Sequence, residues 1–243
     1  MMYDLRRLTD YERRYVRMLD ELQSAPAVQV MHEERGPVEE FVGDADETFQ
    51  LIAEECGVEL DPRLQRSFLR FEAVSSHWAV EQGDLYQTGE FSVRHLGAAM
   101  FGGVEDLDLE VDTESGPESY EELRPFDEHP KGGGGSFTSL RIRPGATSPE
   151  VWFFDGTSRL HKLDLDYCDY LDALLVTKGT YGWQYLFAEV DAQDMNFQFA
   201  ADAMRNMLRI FPEIFPDHDY APFRTRLEDR RRQFINHEVR LEY

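Results

Sequence analysis

The chain has 243 residues, with 48 Asp and Glu against 25 Lys and Arg, and a formal net charge of −23. Its 42% hydrophobic and 13% aromatic content is enough for a folded core and argues against disorder. The charge argues against nucleic acid or an anionic membrane as a direct ligand, because both need a basic face, and no apolar run approaches the ~18–20 residues of a membrane span.

Residues 1–24 are predicted as an amphipathic helix, since Leu5, Leu8, Tyr11, Tyr15, Met18 and Leu22 recur at spacings of three and four. Residues 25–43 read as a connector with turns at Pro26 and Gly36-Pro37. Asp44 with Glu47 is a capping-box signature, opening a helix whose apolar face is Phe49, Ile52 and Ala53 and which Gly57 ends in a left-handed conformation. Asp61 at the N-cap and Pro62 at the first helical position predict a second helix, with Leu64, Phe68, Leu69 and Phe71 as its buried stripe. His77-Trp78-Ala79-Val80 and Phe91-Ser92-Val93-Arg94-His95 are predicted strands around a Gly83-Asp84 turn.

Residues 104–122 contain nine acidic side chains and no basic one. Leu107, Leu109 and Val111 alternate there with Asp108, Glu110 and Asp112, so a strand would carry all three carboxylates on one face. Lys131-Gly132-Gly133-Gly134-Gly135-Ser136 lacks the Gly-Lys-Ser/Thr ending of a phosphate loop and is expected to be a flexible hairpin loop. Strands are predicted at 140–143, 151–154 and 159–163. The Pro144-Gly145 and Asp155-Gly156 turns between them favour antiparallel neighbours. Residues 167–175 form a predicted helix and 181–187 are rich in aromatics. A further helix is expected from Asn196 until Pro212 stops it, and a last charged one over 223–240, with Phe223, Leu227, Phe234 and Ile235 inward.

The order of these elements resembles the SMI1/KNR4, or SUKH, superfamily. The resemblance lies in Glu55-Cys56-Gly57-Val58-Glu59-Leu60-Asp61-Pro62, in Val151-Trp152-Phe153-Phe154-Asp155, and in Tyr167-Cys168-Asp169-Tyr170-Leu171-Asp172-Ala173-Leu174-Leu175. It spans roughly half the chain. Two departures stand out: Asp61 separates Leu60 from Pro62, and Phe71-Glu72-Ala73-Val74 replaces the family's usual Asn-Gly. The expected fold is α+β, a curved and mostly antiparallel sheet flanked by helices, with Trp78, Trp152, Phe153 and Phe154 in its core. The expected organisation is an N-terminal helix and connector (1–43), a SUKH-like core (44–190) and a helical C-terminal extension packed on it (191–243).

Candidate chemistry is sparse. The histidines make no i, i+4 pair and no HxH or HExxH motif, so His95, His129 and His161 read as structural or surface residues. The pairs Asp44/Asp46 and Asp164/Asp166 are what so acidic a chain produces by chance, and no Gly-x-Ser-x-Gly elbow occurs. Arg224, Arg226, Arg230, Arg231 and Arg232 are expected on a solvated helix face, paired with Glu228, Asp229 and Glu238. Cys56 and Cys168 read as buried free thiols. With the charged, non-signal-like N-terminus they point to the cytoplasm, and no enzyme activity, metal or cofactor is expected.

Prokaryotic members of the superfamily look like immunity proteins that neutralise a toxin, often a nuclease. The resemblance therefore implies a non-enzymatic module that binds a basic toxin domain. Glu105, Asp106, Asp108, Glu110, Asp112 and Glu114 are the expected contact residues. Two alternatives stand beside it: a housekeeping scaffold or regulatory module like the fungal relatives, and an enzyme whose site is assembled from scattered residues. The acidity has a second explanation in a GC-rich or halophilic source, since Lys131, Lys162 and Lys178 are the only lysines. Carboxylates on an edge strand also prevent edge-to-edge pairing without any partner.

Overall fold

The computed structural model describes residues 7–38, 44–83, 85–104, 107, 120–132, 134–143, 145–157, 159–190 and 195–241, with side chains as far as 232. Among these, seven strands form one open antiparallel sheet in chain order: β1 (Val28–Arg35), β2 (Val74–Gln82), β3 (Leu85–Val93), β4 (Leu123–Glu128), β5 (Phe137–Arg141), β6 (Glu150–Phe154) and β7 (Leu160–Lys162). Flanking it are α1 (Asp10–Ser24), α2 (Ala45–Cys56), α3 (Leu96–Phe101), α4 (Tyr167–Thr177), α5 (Met195–Ile214) and α6 (Ala221–Leu241). This is the expected α+β class. No helix among the described residues is long and apolar enough to cross a membrane.

β3 and β4 pair only at Val93 and Asp127. Two things limit their pairing. The outer edge of β3 is already occupied by residues 179–181: Glu90 N–H donates to Gly179 O (2.8 Å) and Tyr181 N–H to Thr88 O (3.0 Å). At the junction itself a side chain replaces the ladder, Ser92 N–H donating to Asp127 Oδ1 (2.9 Å). A bulge in β4 between Pro125 and Asp127 then marks Phe126, which packs edge-on against Tyr167 and Tyr170 of α4. Trp78, Phe91, Phe126, Phe153 and Tyr170 belong to the large core between the sheet and the helices, to which α1, α4, α5 and α6 all contribute. Trp152 is different. It sits half-buried on the opposite face with Phe154, against a smaller cluster of Val104, Leu107, Tyr120, Leu123 and Phe137.

Local signals were realised closely. Asp44 and Glu47 make both bonds of the capping box (3.0 and 3.3 Å), and Gly57 takes φ 68°, ψ 24° at the end of α2. The glycine-rich tract forms the β4–β5 hairpin loop, and the N–H groups of Lys131 and Gly132 both donate to the Glu90 carboxylate (2.6 Å each).

Five expectations are corrected. Within the N-terminal segment the helix begins only at Asp10, where Thr9 and Glu12 form a second capping box; Leu5 lies outside the described residues. The connector contains β1, an edge strand with a bulge near Met31, whose half-exposed alternation is too weak to stand out from its flanking turns. The helix after Pro62 is a 3-10 turn, Pro62–Ser67. Phe68, Leu69 and Phe71 are buried but follow it, because Arg70 N–H leaves the helical pattern to donate to buried Glu12 (3.0 Å). The strand ends at Val93, and His95 instead caps α3, accepting from Ala98 N–H (3.1 Å). Finally, α5 runs through Pro212 to Ile214. The carbonyl that proline leaves unbonded, Leu208 O, accepts from Arg224 of α6 (3.0 Å).

Candidate protein-binding surface

The predicted contact residues Glu105, Asp106, Asp108, Glu110, Asp112 and Glu114 lie outside the described residues, as does the strand expected through them. The anchors around them are described. Val104 and Leu107 at one end and Tyr120 and Leu123 at the other are buried in the small cluster behind β4–β6. Glu122, at the far end, is bonded to Arg141 (2.7 Å).

A second acidic stretch went unnoticed in the sequence because it lies inside a helix with a good apolar face. Residues 36–62 hold nine carboxylates and no Lys, Arg or His. Helix α2 buries Phe49 and Ile52, leaving Asp46, Glu47, Glu54 and Glu55 exposed. Among the described residues none of these four has a salt-bridge partner; Asp46 accepts from Gln65 (2.7 Å) and Glu54 from Gln50 (2.8 Å). Helix α3 packs beside α2. Cys56 Sγ lies 3.7 Å from Met100 O, and a Cβ on Gly97 would lie 3.6 Å from Thr48 Cγ2. The Cys56 thiol, only half-buried where full burial was expected, is pushed up by desolvation against the pull of Arg124. That guanidinium is already committed to the carbonyls of Glu121 and Leu123 (2.8 and 2.9 Å).

The basic patch foreseen on the last helix is divided, with Arg226 and Arg230 part-buried and Arg224, Arg231 and Arg232 exposed. Arg226 donates to Leu186 O (2.8 Å) and Asp164 (2.9 Å) and lies over the Phe187 ring, while Arg230 donates to Leu186 O (3.2 Å) and Ala188 O. These contacts fasten α6 to the body. Arg231 and Arg232 stay exposed, Arg232 paired with Glu228 and Asp229 (3.5 Å each).

Polar residues with catalytic side chains occur in structural networks. Buried Asp127 accepts from Tyr170 OH (2.6 Å), and Tyr170 in turn meets Thr138 Oγ1 (2.9 Å). His129 joins Ser136 through Nδ1 (2.8 Å), but its Nε2 stands 3.6 Å from Asp127, beyond hydrogen-bond range. Ser136, His129 and Asp127 therefore follow the order of a nucleophilic relay without its second link, and Asp127 is committed to Tyr170. Asp155 accepts from Thr157 and from Tyr185 OH (3.0 Å), with His161 3.5 Å away. Burial opposes its ionisation, yet His161, Thr157 and Tyr185 hold it well below the usual carboxylate range. Asp166 caps α4 (2.7 Å from Asp169 N) and Asp164 holds Arg226, so neither forms an acid–base pair.

A cleft of about 790 Å³ is lined by Asp61, Arg63, Gln65, Arg66, Ser148 and Cys168, among others. Arg63 is paired with Asp61 and Arg66 with Asp169 (2.8 Å), and burial raises the Cys168 thiol. Lys178 is a fully enclosed cation, its side chain 0% exposed. Its Nζ meets Glu21 (2.6 Å), His218 Nε2 (3.3 Å) and the face of Phe215 (4.6 Å). Among the described residues no group of three or more His, Cys, Asp or Glu is placed to hold a metal ion. No family model, curated protein or solved structure matches the chain.

Proposed function

We propose that this protein is a non-enzymatic binding module acting in the cytoplasm, an immunity-type inhibitor that neutralises a basic toxin domain. The carrying observation is how its charge is distributed. The chain has a net charge of −23, and several of its cations are used internally: Arg70 on Glu12, Lys178 on Glu21, and Arg224, Arg226 and Arg230 on backbone carbonyls. The carboxylates of α2 face solvent with no salt-bridge partner among the described residues. Such a field accelerates encounter with a basic protein and repels nucleic acid, so an inhibitor of a nuclease could occupy the enzyme without competing for its substrate's chemistry. The SUKH-like order of α2, β6 and α4 supports the same reading.

The test is co-expression. The C-terminal domain encoded by a large gene directly upstream should be toxic alone in a bacterial host. Growth should recover when this protein is supplied, and the two should co-purify as a stoichiometric complex. Persistent toxicity with no complex would refute the reading.

A further inference from the structure

We propose that the outward face of β1–β3 is a self-association surface, on which a second copy of this chain packs face to face. Period two fixes which side chains share that face. Val74, Trp78 and Val80 of β2 and Phe91 and Val93 of β3 belong to the large core, to which the helices also contribute. Their alternates point away from the helices: Ser75, His77, Ala79 and Glu81 on β2, and Tyr86, Thr88, Glu90 and Ser92 on β3. The register extends this face in both directions. Gln29 of β1 stands opposite Ala79, and His32 opposite His77. Beyond β3, the bridge between Gly89 and Thr180 sets Tyr181 opposite Thr88. Gln29, Ala79, Thr88 and Tyr181 thus form one uncharged row across the strands, and Tyr86 stands two residues from Thr88 on the same side. A solvated sheet face ordinarily carries polar side chains. Here Tyr86 is 65% and Tyr181 50% exposed, with Met31 at 45% in the bulge of the edge strand.

Charge selects the occupant. One side of the uncharged row carries His32, His77 and Glu90, and both oxygens of Glu90 already accept backbone N–H groups, from Lys131 and Gly132. The other side carries Glu81, opposite Tyr86. The face is therefore complementary to itself. A twofold axis along the row stacks two protomers as the sheets of a sandwich, β2 over β2 and antiparallel. Glu81 of each protomer then approaches the partner's His77 and the partner's Lys131, and Tyr181 meets the partner's Tyr181. Glu34 lies two residues beyond His32, outside the overlap. Tyrosines at the centre with paired charges around them are the anatomy of a specific contact. A strongly basic partner is better matched by the carboxylates of α2, and this association leaves the helices accessible because they pack on the other side of the sheet. Strands ~4.8 Å apart with a rise of ~3.4 Å per residue give roughly 400 Å² per protomer. A standard interface buries about 800 Å² per partner, so the dimer is weak and reversible.

Sedimentation equilibrium of the full-length protein between about 10 µM and about 500 µM should show a monomer–dimer equilibrium. Each protomer carries −23, so the dissociation constant should fall several-fold as salt rises from about 0.05 M to about 0.5 M and screens the net repulsion. Tyr86→Ser with Tyr181→Ser should weaken the dimer at least about tenfold. Circular dichroism checks that this variant is folded; both side chains are exposed, so it should be. Glu81→Lys is the sharper probe. It reduces the net charge, so a non-specific contact would tighten, whereas the paired arrangement sets an ammonium against the partner's His77 and the partner's Lys131 and should loosen. Four results overturn the proposal: a monomer throughout the range, a dissociation constant that rises with salt, tighter association of Glu81→Lys, or a dimer lost through Phe199→Ser on α5 and kept in the tyrosine variant.

Discussion

Replacing Glu21 by Gln should destabilise the protein far more than replacing Lys178 by Met, although both break the same ion pair. The asymmetry follows from burial. Lys178 is held in a left-handed conformation (φ 51°) at the end of α4, with its ammonium enclosed by Glu21, His218, the Leu175 carbonyl and the Phe215 ring. Burial lowers its pKa and Glu21 opposes that shift. Removing the carboxylate leaves an enclosed cation uncompensated, which typically costs about 3–5 kcal/mol. Gln still accepts one hydrogen bond, so the low end, about 3 kcal/mol, is expected, or roughly 6–12 °C in Tm for a chain of this size. Lys178→Met instead removes the charge and keeps the volume. Glu21 remains partly solvated and bonded to His218 (2.9 Å), so the loss should stay under about 1.5 kcal/mol. The double variant should be more stable than Glu21→Gln alone.

The pH dependence has a definite sign. Burial would raise Glu21, but His218 and Lys178 bring it down to about 2 from an ordinary 4.5. A depressed carboxylate contributes fully above its unfolded value and loses that contribution as pH falls towards its folded one. The gap between wild type and Glu21→Gln should therefore be widest at neutral pH and narrow between about 4.5 and about 2. Thermal melts followed by circular dichroism at pH 7 and pH 3 measure both effects. Equal losses for the two single variants, or a gap that widens in acid, would refute the argument.

Gly57→Ala should cost about 1 kcal/mol in chemical denaturation: nothing lies within 4 Å of an added Cβ, so only the positive φ opposes it. Gly89→Ala should be much worse, at or beyond the ~1–3 kcal/mol of overpacking, since its Cβ would fall 2.3 Å from Trp78 Cζ2; an unchanged melting temperature would show that the indole can move. Tyr170→Phe should cost about 2 kcal/mol by removing the hydroxyl that satisfies Asp127, and Asp127→Asn should recover part of that loss in the double variant. Charge reversal at Asp108, Glu110 and Asp112 should slow association with the partner more than it speeds dissociation, with the difference shrinking as the Debye length falls from about 10 Å at 0.1 M salt to about 3 Å at 1 M. Stopped-flow rates insensitive to both mutation and salt would leave the acidity to the source of the chain.

Much of this fold was legible in the sequence because its signals are local. Asp44 finds Glu47 three residues away, and Gly57 and the Gly83 turn answer to their own backbone angles. Short-range hydrogen bonds and φ preferences need no tertiary context, so the start and stop of α2 and the β2–β3 corner could be read directly. The tertiary structure decided whatever depends on distant partners. The turn after Pro62 ends early because Arg70 reaches Glu12 across 58 positions. Helix α5 continues through Pro212 because Arg224 covers Leu208 O. Lys178, an ordinary lysine in sequence, becomes a buried charge only because Glu21 lies 157 positions away to receive it.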